Sequence, residues 1–74
     1  MPKLPVLSGK ELIKILKKFG FEEVRQKGSH VSLQKIASEK TYRTVVPLHS
    51  ELAKGTLRDI LNQCGIKKEN LFNP

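Results

Sequence analysis

The sequence predicts an α+β fold: a helix, three strands and a second helix, with the strands in one antiparallel sheet and both helices on one of its faces. Three observations carry this. Two segments repeat apolar residues at the helical period, and three short segments between them read as strands. The links are short, which makes the sheet antiparallel. Each helix has a single apolar stripe to bury, so both must cover the same sheet face.

The first helix is "SGKELIKILKKFG". Ser8 and Glu11 form an S-x-x-E capping box, which satisfies amide donors left free at a helix start. Gly20 supplies the left-handed stop after Phe19. Leu12, Ile15, Leu16 and Phe19 recur at i, i+3, i+4, i+7, with Ile13 widening the stripe. Lys10, Lys14, Lys17 and Lys18 repeat on another side, giving a second, basic stripe.

"FEEVRQ", "HVSLQ" and "TYRTVV" are the strands, and Lys27-Gly28-Ser29 is the turn of a hairpin between the first two. The two-residue period sets Val31 and Leu33 toward the core, leaving His30, Ser32 and Gln34 on the wet face. In the third strand Tyr42, Thr44 and Val46 point inward, and Pro47 ends it because proline cannot donate to a ladder. "KIASEKT" is a polar connection and the longest loop expected. The second helix, "AKGTLRDILNQCG", aligns Leu57, Ile60, Leu61 and Cys64 and closes at Gly65. The tail "IKKENLFNP" adds one helical turn that returns Leu71 and Phe72 to the core.

The 74 residues suit one domain, 1–74, with 1–7 as an extended lead-in and 67–74 as a short tail. Such a chain buries roughly 60% of its unfolded surface. One cysteine excludes an internal disulfide and fits a reducing cytosol, hence a cytoplasmic location. "MPKLPVLSGKEL" has no apolar run long enough for a signal peptide or membrane span, so no membrane partner is expected. Lys and Arg outnumber Asp and Glu by 14 to 7, for a net charge of +7. So strong a field in so small a body attracts RNA, DNA, anionic lipid or an acidic protein.

Two places carry candidate chemistry. His30 follows a glycine turn amid Arg25, Lys27 and Lys35. It is either a loop histidine with no task or a general base. An imidazole, with a reference pKa of about 6.5, can take and return a proton near neutrality. RNA carries its own nucleophile, the 2′-hydroxyl, so its cleavage needs no metal if a base deprotonates that group. Nearby cations would stabilise the phosphorane. Gly28 lets the backbone turn sharply, and Ser29 donates to a phosphate oxygen or simply closes the turn. The second place is "LAKGTL", where a helix start with Lys54 and Thr56 either docks a phosphate or is plain capping. His49 shapes the entry to that helix or supplies a second titrating group. Two histidines without paired ligands do not make a zinc site, and GxxxxGK[ST], GxGxxG and HExxH are absent. No metal or other cofactor is expected. Cys64 lies on an apolar stripe and reads as core.

The order and layering resemble those of double-stranded-RNA-binding domains. More specifically, "ELIKILKKFGFEEVRQKGSHVSL" and "TVVPLHSELAKGTLRDILNQCGI" resemble the HicA family, the toxin half of HicAB toxin–antitoxin modules. The resemblance runs from about Ser8 to Ile66. It rests on Gly20-Phe21, on R-Q-K-G-S-H from Arg25 to His30, on V-P-x-H from Val46 to His49, and on K-G-T-L-R-x-I-L-x-x-x-G-I from Lys54 to Ile66. Many members carry a second histidine where Val31 stands here. The resemblance implies ribosome-independent cleavage of mRNA, with His30, the histidine after Gly-Ser, as the catalytic residue. It also implies a HicB-type antitoxin that blocks the RNA-binding face.

The expected function is therefore that of a metal-independent endoribonuclease in which His30 activates the 2′-hydroxyl of mRNA. Lys10, Lys14, Arg25, Lys27, Gly28, Ser29, Lys54 and Arg58 are the candidate RNA-binding residues. Lys27 and His49 are both open as the acid for the leaving 5′-oxygen. The rival readings are a non-catalytic duplex-RNA-binding domain and an inactive toxin kept for its antitoxin. Against the first rival, the second helix brings Lys54 without the lysine cluster that duplex binders carry there.

Overall fold

The computed structural model describes residues 4–72. Its elements follow the expected order: α1 (Gly9–Lys18), β1 (Glu22–Lys27), β2 (His30–Ile36), β3 (Thr41–Pro47) and α2 (Lys54–Cys64), then a short 3₁₀ helix (Lys68–Asn70). The strands form one antiparallel sheet in the order β1-β2-β3, so β2 is central.

The ends of α1 are built as its sequence requires. The Ser8 side chain accepts from the Glu11 N–H at 3.1 Å, and the Ser8 N–H donates to the Glu11 carboxylate at 2.9 Å. That backbone donation is the main reason the Glu11 carboxyl is held below its ordinary range, with the Ser8 hydroxyl adding to it. After Phe19 the chain leaves the helix through Gly20, whose φ of 97° is open to glycine at little strain. Leu12, Ile13 and Leu16 are buried, and Ile15 and Phe19 pack partly against the same core.

On the sheet, Val31 and Leu33 of β2 and Thr44 and Val46 of β3 are buried, with Tyr42 half-buried beside them. This is the inward set that alternation predicts. Thr44 is the one polar member. It donates through its hydroxyl to Gln63 Oε1 of α2 at 2.7 Å, which satisfies a group that burial would otherwise penalise.

Several details differ from expectation. The ladder between β1 and β2 breaks register between Glu23 and Arg25, leaving Val24 without a cross-strand partner and 51% exposed. In a regular ladder Val24 would oppose Leu33 on the core side; Glu23 takes that place, and its carboxylate lies 2.8 Å from the Lys17 ammonium of α1. The hairpin turn proper is Gly28-Ser29, since Lys27 belongs to β1. The polar connection "KIASEKT" is not the longest link: strand pairing consumes both its ends, the Ala37 N–H closes on the Lys40 carbonyl at 2.9 Å, and only residues 37–40 remain. The longer link is 48–53, between β3 and α2. In the tail, Leu71 is buried, but Phe72 is 63% exposed because the 3₁₀ turn carries only one of the two side chains inward. Tail residues Asn73 and Pro74 and lead-in residues 1–3 lie outside the described residues.

The helices run antiparallel to β3. Gly9 at the start of α1 abuts Pro47 and Leu48, while Gly20 beyond its end lies beside Lys35, whose partner across the ladder is Tyr42. In α2, Gln63 meets Thr44 and Gly65 meets Tyr42, so its first residue, Lys54, lies at the Pro47 end. Both helices therefore begin where β3 stops.

This close approach makes a requirement of Gly9 that its φ does not. A Cβ there would run into the Pro47 carbonyl oxygen and stand 3.0 Å from the Leu48 Cα, both rigid backbone. Gly9→Ala is expected to destabilise the fold by about 1–3 kcal/mol, the usual range for overpacking. Urea denaturation checks it. Gly55→Ala is the comparison, because nothing lies within 4 Å of a Cβ built at Gly55.

Candidate functional site

The β1–β2 hairpin sets the geometry. Its turn has a positive φ only at its first residue, Gly28 (59°), the glycine-first arrangement of a II′ turn, which matches the twist of paired strands. A Cβ at Gly28 would meet nothing within 4 Å, so the glycine is needed for conformation and not for space. The Gln26 amide donates to the Gly28 carbonyl at 3.3 Å. The Leu48 N–H donates to the Ser29 carbonyl at 2.7 Å, tying the turn to the chain just after β3.

A two-residue turn fixes who faces whom. Lys27 is directly opposite His30 on one side, and Pro47 of β3 is opposite it on the other. Residues directly opposite in an antiparallel pair share a face, with Cβ atoms about 4.5–5.5 Å apart. His30 is exposed, and the side chains that share its face nearby are Lys27, Arg25 and Ser32, with Val45 beyond. The turn lies at the same end of the sheet as the starts of α1 and α2. A helix start carries unpaired N–H groups and the positive end of the macrodipole. At α1 this end already holds the Glu11 carboxylate. At α2 the N-cap is Ala53, with no side-chain cap and no acidic residue in the first turn, so its amides face outward beside Lys54.

Of the candidate residues, the structure brings Arg25, Lys27, Gly28, Ser29 and His30 together on the hairpin. Lys10 and Lys54, in the first turns of the two helices, stand at the same end. Lys14 is one turn further along α1 and exposed. Arg58 is one turn further along α2 from Lys54 and exposed, where it lines a groove with Leu4, Asn62 and Lys68. Lys35, close to His30 in sequence, is not near it in space: pairing with Tyr42 sends it to the far end of the sheet, against Gly20. His49 is exposed in the 48–53 link, where its carbonyl accepts from the Gly9 N–H at 2.9 Å.

One basic residue escaped the sequence reading. Arg43 pairs with Gln34 and so shares the open face with His30. With Val24, Arg25, Ser32, Gln34 and Val45 it lines a depression of ≈ 820 Å³ that reaches past β3 to Thr56 and Asp59 of α2. The alternation that sends Thr44 inward already sends Arg43 outward, so the signal was present. Cys64 is buried, and desolvation pushes its thiol up to about 11, which keeps it protonated and unreactive at neutral pH. Among the described residues, no group of three or more His, Cys, Asp or Glu side chains is placed to hold a metal ion. No helix among them is long and apolar enough to cross a membrane.

A family model described as the HicA toxin of bacterial toxin–antitoxin matches residues 9–66, the span that contains the capped α1, the hairpin and α2. No curated protein matches the chain.

Proposed function

The chain belongs to the HicA toxin family of bacterial toxin–antitoxin systems, and from that premise we propose that it is an endoribonuclease that cleaves single-stranded mRNA without a metal ion. His30 takes the proton of a 2′-hydroxyl, whose oxygen attacks the adjacent phosphorus. The 5′-oxygen leaves, and the products are a 2′,3′-cyclic phosphate and a 5′-hydroxyl. The observation that carries the reading is the exposed imidazole of His30, held by a two-residue turn beside Lys27 and Arg25. The open start of α2, with Lys54, offers donors to a neighbouring phosphate. Lys10 and Lys14 extend the basic surface along α1. A toxin of this family is paired with an antitoxin; a HicB-type protein covering the His30 face would silence it. The substrate places the reaction in the cytoplasm.

The test is product chemistry. Purified protein is incubated with end-labelled RNA in excess chelator, alongside the same strand made with 2′-O-methyl or 2′-deoxy sugars. Cyclic-phosphate ends from the RNA alone are the expected result. Cleavage of the 2′-modified strands, 5′-phosphate products, or complete dependence on added metal would each overturn the mechanism.

A further inference from the structure

The geometry points to Lys27 as the general acid that protonates the leaving 5′-oxygen. This inference rests on the ribonuclease reading above and assigns its missing proton donor.

Transfer to the 2′-oxygen passes through a phosphorane with the attacking and leaving oxygens roughly in line, so a base and an acid must flank one phosphorus. With His30 at the 2′-oxygen, the acid has to stand beside it on the same face. His30 has two direct neighbours across the sheet, Lys27 and Pro47. Proline has no proton to give. Arg25 lies one pair further along, opposite Ser32, but a guanidinium does not deprotonate in proteins, so it can stabilise charge and cannot serve as acid. His49 lies past the end of β3 in the 48–53 link, where no strand pairing fixes its ring against His30. Lys27 alone combines a transferable proton with a position set by the ladder. Its flexible stem lets the ammonium stand off from the imidazole by the width of a phosphoryl group.

The step balances. The 2′-hydroxyl proton passes to His30 as the O2′–P bond forms. The P–O5′ bond breaks, and an ammonium proton of Lys27 passes to O5′. His30 is left as imidazolium and Lys27 as amine, and exchange with water restores both.

A substrate with sulfur in place of the bridging 5′-oxygen separates this role from simple phosphate binding, because a thiolate leaves without being protonated. On ordinary RNA, Lys27→Gln and Lys27→Arg are each expected to lose about 10²–10⁴-fold in rate, the range for general acid–base assistance. On the bridging-sulfur RNA both should recover most of that loss, while His30→Ala should not. Circular dichroism verifies that each variant is folded. If Lys27→Arg retains activity on ordinary RNA, or if sulfur fails to restore Lys27→Gln, the lysine contributes charge and not a proton, and the assignment falls alone. Wild-type protein that cleaves neither RNA overturns the ribonuclease reading and this inference with it.

Discussion

Replacing His30 with alanine is expected to lower the rate of RNA cleavage by about 10²–10⁴-fold, the contribution of a positioned general base, and to leave the fold intact. The second half of that expectation makes the first informative. His30 is exposed on the open face of the sheet, with Val31 and Leu33 facing the core on either side of the strand's alternation. A surface substitution of that kind usually changes stability by no more than about 0.5 kcal/mol. Lost cleavage with an unchanged thermal midpoint therefore points to chemistry. In cells, expression of the wild type without an antitoxin should arrest growth and deplete mRNA, and His30→Ala should do neither. Equal activity of the two proteins on labelled RNA would remove His30 from the mechanism.

The largest loss of stability is expected from Leu16→Ala. Leu16 is 0% exposed, on the stripe by which α1 joins the hydrophobic core over the sheet. Truncating a buried leucine costs about 2–5 kcal/mol, through lost transfer energy and the cavity left behind. A chain of this length has roughly 4–11 kcal/mol of stability in total, from 0.05–0.15 kcal/mol per residue. The substitution thus removes a large share of it, and each kcal/mol lowers the midpoint by about 4–8 °C in a domain of this size. Ile36→Ala is the control, because Ile36 is 75% exposed on the same molecule; its midpoint should barely move. Near-equal midpoints for the two variants would contradict the core described above.

Much of the architecture was legible because its causes are local. The capping box needs only Ser8 and Glu11 three residues apart, and the stops at Gly20 and Gly65 need only a residue that tolerates positive φ. Alternation placed Thr44 and Val46 inward and His30 outward because successive side chains in a strand must point to opposite faces. What failed was also physical. The bulge at Val24 went unmarked because no local signal announces it: the shift follows from pairing with a second strand. Phe72 looked like a core residue on hydrophobicity alone, but the geometry of the 3₁₀ turn admits Leu71 instead. Lys35 was grouped with His30 by charge and nearness in sequence, and neither carries information about which end of a strand a residue occupies.

From the sequence by itself came the elements, their order, the two-sided character of each, the family resemblance and the histidine on the wet face. Those follow from spacing, and spacing is written in the chain. Only the tertiary structure decided that the starts of both helices gather at the hairpin's end of the sheet, that Gly9 sits hard against Pro47, and that Pro47 is the neighbour of His30 on β3. These are relations between residues far apart in the sequence, set by ladder register and by how the helices lie on the sheet.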